Sequence, residues 1–400
     1  SPMSNVLSLP PRPTGEPPEG ASLASIEELL AELAAGRMVV ILDDEDRENE
    51  GDLIMAAEHV TPQAVAFMIR YTSGIICVPM EEERLARLDL PQMVPLNTES
   101  HRTAFTISVD YRHGTSTGVS SADRAATIRA LASRDSSAAD FARPGHIFPL
   151  RPRKGGVLIR AGHTEAAVDL CTLAGLQPVG VLCEIMNDDG TMARRPELEV
   201  FARRHQLKIG TIADLIRYRL RNERSIERIA DQVAHSEHGE FRLLAYRDRV
   251  NGLVHLALAR GRLDGAAIPL VRVHIADTLR DLLGVRTDPR AWTLRAALER
   301  IAQADSGVVV ILREPESSGD LLDALRGLPL SGAAALAVPE PSHARPAAEA
   351  GPILRTYGIG AQILKDLGVR RMRVLSAPKQ MHGISAFGLE IDGYVAEAAG

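Results

Sequence analysis

Ten residues constrain this chain more than any others. Asp43 to Asp52 read Asp-Asp-Glu-Asp-Arg-Glu-Asn-Glu-Gly-Asp; seven are acidic and one, Arg47, is basic. They follow the apolar run at 38–42, which reads as a strand entering a core. Two like charges 4 Å apart repel by about 1 kcal/mol even in water. Seven carboxylates in one turn therefore need an offset: a divalent cation, backbone N–H donors, or solvation. Loops at the ends of buried strands are where α/β folds place their sites. A solvated acidic turn is the alternative.

Periodicity organises the rest. Residues 1–20 hold six prolines and are expected to be disordered. Ser25 and Glu28 form a capping box, opening a helix with Ile26, Leu29, Leu30 and Leu33 on one face and a stop at Gly36. Thr61-Pro62 starts another helix. Further strands are expected at 75–79, 105–110, 157–159 and 179–185, with Phe105, Ile107 and Val109 pointing inward, and helices at 122–132, 164–173, 196–205 and 212–220. Residues 222–235 read as a linker, opening with a polar run at 222–228. Beyond it, strands are expected at 241–246, 254–259, 270–274, 308–312 and 373–376. Helices are expected at 294–303, 321–325 and 361–367, and a mobile loop at 329–352. The fold class is a two-domain α/β (α+β) chain, with domains at 21–221 and 236–400.

Composition excludes several classes. The net charge is −6, so no basic field for nucleic acid or an anionic membrane is present. Aromatics are 4%, with a single Trp292, which argues against stacking platforms for single strands. Cys77, Cys171 and Cys183 form no C-x-x-C pair and read as small core hydrophobes. No run of 18 apolar residues and no signal-peptide pattern occurs, so a cytoplasmic location is expected. Ser1-Pro2 reads as a scar ahead of a native start at Met3.

Three clusters carry chemistry. The acidic loop is not an EF-hand, because the loop glycine is missing and the twelfth residue from Asp44 is Met55. An all-oxygen set with few ligands suits Mg²⁺, and Arg47 could neutralise an anion. The turn Arg160-Ala161-Gly162-His163-Thr164 joins an expected strand to a helix, where backbone N–H groups and Arg160 favour anions. His163 could ligate metal or move a proton, or be structural. The hydroxyl-rich run from Thr115 through Thr117 to Ser121 precedes a helix, as either a phosphate-binding turn or a capping cluster. His146 and Glu184 are further candidates, and a carboxylate in a buried strand such as Glu184 is costly unless paired or functional.

Together these stretches resemble 3,4-dihydroxy-2-butanone 4-phosphate synthase of riboflavin biosynthesis. The likeness lies in DDEDRENEGDLIMAAE, TSGIICVPM, FTISVD, STGVSSADRAATIRA, RPGHIFPL, GGVLIRAGHTEAAVDL and CEIMNDDGTMAR, spread over residues 25–220. The resemblance implies that Glu48 and His163 hold Mg²⁺ or Mn²⁺. It implies that Arg47, Glu48, Asp52, Thr117, Glu184 and the turn Arg160, Ala161, Gly162, His163 and Thr164 bind D-ribulose 5-phosphate. His146, Glu184, Glu48 and Asp52 match positions needed for catalysis, and a homodimer is implied. The chemistry fits those residue types: a proton leaves carbon next to a carbonyl, the enediol needs a Lewis acid, and several transfers need several acid/base groups.

The second half resembles GTP cyclohydrolase II in PLVRVHIADTLRDLLGVR, WTLRAALERIA, GVVVILRE and RTYGIGAQILKDLGVRRMRVLS. The family's three zinc cysteines are replaced by Asp277, Asp288 and Arg290, and no cysteine follows Cys183. Its Gln-Glu-Gly-Arg segment becomes Arg313-Glu314-Pro315-Glu316-Ser317, and its Asn-Asn-Pro turn becomes Ser376-Ala377-Pro378. Arginine is no zinc ligand, so no zinc and no cyclohydrolase activity are expected. The alternatives are a bifunctional enzyme with other ligands, or a nucleotide-binding regulatory module.

Overall fold

The computed structural model describes residues 23–265, 267–286, 291–328, 350–377 and 387–397. The expected disorder at 1–20 and residues 329–349 of the loop expected at 329–352 lie outside them, as do Asp288, Arg290 and Pro378; residues 350–352 are not loop but the start of a helix. The chain divides into two compact units, 1–156 with 162–212, and 157–161 with 213–400.

The first unit runs α1 (Ile26–Ala34), β1 (Val39–Leu42), β2 (Gly51–Ala56), α2 (Pro62–Tyr71), β3 (Cys77–Pro79), α3 (Glu82–Arg87), β4 (Val109–Tyr111), α4 (Ser121–Ala132), β5 (Phe141–Leu150), α5 (His163–Leu173), β6 (Gly180–Glu184), α6 (Arg195–Arg204) and β7 (Lys208–Thr211). Its seven strands lie in the order β4-β5-β3-β6-β2-β1-β7. The Ser25 hydroxyl accepts from the Glu28 N–H at 3.2 Å, and Leu29 and Leu33 are fully buried. Thr61 caps α2 with Pro62 in its first turn. Every residue of β1 and β2 is buried, because helices cover both faces.

Alternation then aims the site. A Cβ on Gly51 would meet Leu198 of α6, and one on Gly210 would meet Leu29 of α1. Asp52 follows Gly51 and is in register with Ile41, itself in register with Gly210. Asp52 therefore faces away from α6 and toward α1 and α5.

Several expectations shift. The run at 105–110 joins a ladder only from Val109, with Phe105 and Thr106 in isolated bridges to Leu150 and Gln92; Val109 and Thr106 are buried, while Phe105 and Ile107 are half-buried. Thr106 is inside because its hydroxyl donates to the Pro149 carbonyl at 3.1 Å. Residues 157–159 form no strand: Gly156–Leu158 is a 3-10 turn, entered by two glycines at positive φ.

The second unit contains most of α7 (Ile212–Asn222), then β8 (Ile226–Ser236), β9 (Gly239–Asp248), β10 (Val254–Arg260), β11 (Leu270–Ile275), α8 (Leu294–Ala302), β12 (Gly307–Leu312), α9 (Ser318–Arg326), α10 (Ala350–Asp366), β13 (Arg371–Leu375) and β14 (Glu390–Val395). Its sheet order is β14-β13-β11-β12-β10-β9-β8. The segment read as a linker is thus the edge strand β8. It looks polar because most of its residues are exposed. Trp292, Ile301, Val309, Phe241 and Leu375 pack one core. Among the described residues no helix is long and apolar enough to cross a membrane.

Candidate active site

The acidic loop is the turn of the β1–β2 hairpin, and one carboxylate organises it. Asp43 accepts from the backbone N–H of Glu50 at 2.7 Å, from that of Glu48 at 3.1 Å, and from Arg47 Nη1 at 3.2 Å. Asn49 makes the reversal at φ +53, and Arg194 Nη1 ties down the carbonyls of Glu48 and Asn49 at 2.9 and 2.6 Å. Arg47 is almost wholly buried between Asp43 and Glu48, whose Oε1 is 3.4 Å away. Backbone donors and two arginines thus offset part of the charge crowding that the sequence posed.

His163 is the first residue of α5, directly after Gly162 at the N-cap. It is buried, and its Nε2 lies 2.8 Å from the carbonyl oxygen of Ile41. A carbonyl only accepts, so Nε2 carries the hydrogen and Nδ1 keeps a free lone pair. Nδ1 lies 3.7 Å from Oδ1 of Asp52. One ligand atom each from Asp43, Glu48 and His163 lie within 4.8 Å of one another. An imidazole anchored through its other nitrogen to a carbonyl is the usual posture of a metal-bound histidine.

Asp52 stands opposite Glu184 in the β2–β6 register. Glu184 accepts from the Ser73 hydroxyl at 2.7 Å. Asp52 Oδ1 is buried with no hydrogen-bond partner among the described residues. Burial, then the charges of Glu184, Glu48, Glu50 and Asp43, push the Asp52 carboxyl well above the usual range. Glu50 is pushed up to about 7, by burial first and then by Glu48, Glu184 and Asp43. An orphaned buried oxygen beside an imidazole lone pair and an excess of carboxylates fits a divalent oxygen-seeking cation. Burial raises the thiols of Cys77 and Cys183, so these neighbours stay protonated.

The other expected residues distribute as follows. Thr164 is buried beside His163, and Gly162 caps the helix, whereas Arg160 and Ala161 group with the second unit. Thr117 is exposed, and the N–H groups of Ser116 and Gly118 beside it already donate to Asp123 at 2.9 and 3.0 Å. The hydroxyl-rich run thus holds its own anion and caps α4 through Ser120, the capping reading of that segment. His146 lies on β5, separated from β6 by β3. Asp43, Glu50, Ser73 and Arg194 were not singled out in the sequence. The first two are indistinguishable from their acidic neighbours there, and the last two become visible only once the strands pair.

In the second unit His274 has both ring nitrogens engaged, one 3.3 Å from Arg272 Nη2 and the other 2.8 Å from Asp281 Oδ1. Asp277 caps the turn at 278–282 by accepting from the Arg280 N–H at 2.9 Å.

Comparison with known proteins identifies both halves of the chain. Residues 27–218 match the model of the 3,4-dihydroxy-2-butanone 4-phosphate synthase family, and residues 227–396 that of GTP cyclohydrolase II. A 3,4-dihydroxy-2-butanone 4-phosphate synthase of Pseudomonas aeruginosa is 51% identical over 374 residues, covering 94% of this chain and 99% of its own length. One from Photobacterium phosphoreum is 46% identical over 375 residues, covering 94% of this chain and 99% of its own length. The crystal structure of a two-domain 3,4-dihydroxy-2-butanone 4-phosphate synthase from A. baumannii superposes with a TM-score of 0.78 at 41% identity, covering 94% of this chain and all of that one. The acidic hairpin and His163 fall inside the first matched segment, and the chain belongs to the 3,4-dihydroxy-2-butanone 4-phosphate synthase family of riboflavin biosynthesis, joined to a GTP cyclohydrolase II domain.

Proposed function

We propose that in this lyase, which converts D-ribulose 5-phosphate to L-3,4-dihydroxy-2-butanone 4-phosphate and formate, Glu48 and His163 hold a divalent cation, Mg²⁺ or Mn²⁺. The observation that carries this reading is the cluster of Asp43, Glu48 and His163, with the unpartnered Asp52 oxygen beside it. The cation, when bound, supplies Lewis-acid stabilisation of the enediol. Asp43 spends both oxygens on the loop backbone and Arg47, so it shapes the site while Glu48 ligates. Asp52 and Glu184 form a carboxyl pair that holds and passes protons beside the substrate carbons. His146 is a third acid/base group, and Thr117 is a substrate-binding hydroxyl in this reading. Arg47 and the helix start at Gly162, His163 and Thr164 take the substrate's oxygens and phosphate. The enzyme works as a homodimer.

The second unit carries no cyclohydrolase chemistry in this reading. Two things support it: Asp277, at the first cysteine position, is used as a cap, and the P. aeruginosa relative, matched across both halves, bears the synthase name alone. The test is a paired assay on the full chain. Ribulose 5-phosphate with Mg²⁺ is expected to yield formate, and GTP with Zn²⁺ to yield no pyrimidine. Absence of formate overturns the first half of the reading, and GTP consumption with stoichiometric bound zinc overturns the second.

A further inference from the structure

We propose that Asp110 is a positioning residue of the synthase reaction, fixing the tautomer of His146 so that Nε2 is the nitrogen that handles the proton. The inference rests on the reading of His146 as an acid/base group.

Strands β4 and β5 pair out of step here. Val109 faces Ile147, but Asp110 faces Ala142, so residues 143–146 loop out of the ladder. The bulge removes the backbone N–H of His146 from strand pairing. Asp110 recaptures it: Oδ1 accepts that N–H at 2.8 Å, and Oδ2 lies 2.8 Å from His146 Nδ1. A carboxylate only accepts, so Nδ1 carries the hydrogen and Nε2 keeps the lone pair. The imidazole is half exposed, while the Asp110 carboxyl is 14% exposed beneath it.

Two glycines make the room. A Cβ on Gly145 would lie 2.0 Å from the Val109 carbonyl carbon, and one on Gly118, at φ +87, would lie 2.2 Å from Asp110 Oδ2. The Gly145 N–H donates to Ser108 Oγ at 3.1 Å. Three segments of chain thus close around this carboxylate. A purely structural aspartate would need only the backbone contact; the second oxygen is committed to the ring. The neighbouring His113–Asp140 pair is the contrast, since there the aspartate makes no hydrogen bond to the histidine's backbone and the imidazole is 61% exposed. A base whose other nitrogen is held by a carboxylate is the arrangement that orients catalytic histidines generally.

The experiment is formate-release kinetics on the full-length chain for Asp110→Asn, His146→Gln and the double variant, with melting curves and ¹⁵N-histidine spectra. An asparagine amide can turn an N–H toward Nδ1 and so favour the opposite tautomer. Asp110→Asn is expected to lower kcat by roughly 10²–10⁴-fold. KM should stay within about threefold and the melting point unchanged, with the His146 resonance moving from an Nδ1–H to an Nε2–H pattern. In the His146→Gln background, Asp110→Asn should add no further loss. Wild-type kcat in Asp110→Asn, or an equal loss in both backgrounds, overturns the positioning role. Wild-type kcat in His146→Gln overturns the underlying reading of His146 itself. Should Asp110→Asn misfold, Asp110→Ala, which removes the acceptor, serves instead, and an unshifted His146 tautomer at reduced kcat refutes the proposal.

Discussion

Asp52 and Glu184 face each other across β2 and β6, and among the described residues a donor holds Glu184 while Asp52 Oδ1 has none. Two carboxyl groups side by side either share a proton or need a cation between them to ionise together. Asp52→Asn is therefore expected to stabilise the cation-free protein at pH 8 by about 0.5–2 kcal/mol while sharply reducing formate release. Denaturant unfolding and an activity assay on one preparation check both; a destabilised but active variant would contradict the pairing.

The metal reading predicts that Glu48→Ala and His163→Ala each lose formate release by more than about 100-fold, since even outer partners of a metal site cost 10–100-fold. EDTA should stop turnover and added Mg²⁺ restore it. Turnover that persists in EDTA-treated protein would leave the loop as a solvated turn.

Glu50 sets a pH dependence. Its folded value of about 7 lies above the ordinary 4.5, so between those limits the folded state binds more protons than the unfolded one. Stability of the cation-free protein should then fall as pH rises from 4.5 to 7, the opposite of a salt-bridged carboxylate. Melting curves in EDTA test this, and Glu50→Gln should flatten the slope. A slope unchanged in that variant would assign the effect elsewhere.

His255 gives the second unit the reverse behaviour. Burial lowers its imidazole to about 4, and its Nδ1 accepts from the Arg313 N–H at 2.9 Å. The unfolded chain binds a proton near 6.5 while the folded chain refuses it, so stability should be lost as pH falls from 6.5 to 4. The single tryptophan, Trp292, is buried in this unit, and its fluorescence follows that transition alone. No acid sensitivity of the Trp292 signal in this window would contradict a neutral buried His255.

Much of the first unit was legible because its signals are local. Caps such as Ser25 and Thr61 and apolar runs such as 38–42 need no partner to be recognised. Glu184 stood out because a carboxylate within an apolar run demands a reason. Strand β2 stayed hidden because Gly51 and Asp52 belong visually to the acidic run, although both are buried. The exposed edge strand β8 read as a linker, since an edge lacks the apolar alternation of a covered strand. Asp110 could not be found from sequence, because its meaning depends on a two-strand bulge that only pairing creates.

The nitrogen that locks His163 in place reaches back to Ile41, 122 positions earlier in the chain. During synthesis the acidic hairpin leaves the ribosome first, a strip of negative charge with no imidazole to complete it. In the proposed metal reading the site is therefore incomplete until α5 docks, which requires closing a long loop and building the intervening sheet. Under the proposed metal reading, nascent or broken chains would be poor scavengers of magnesium, and cation binding would become a certificate of finished folding.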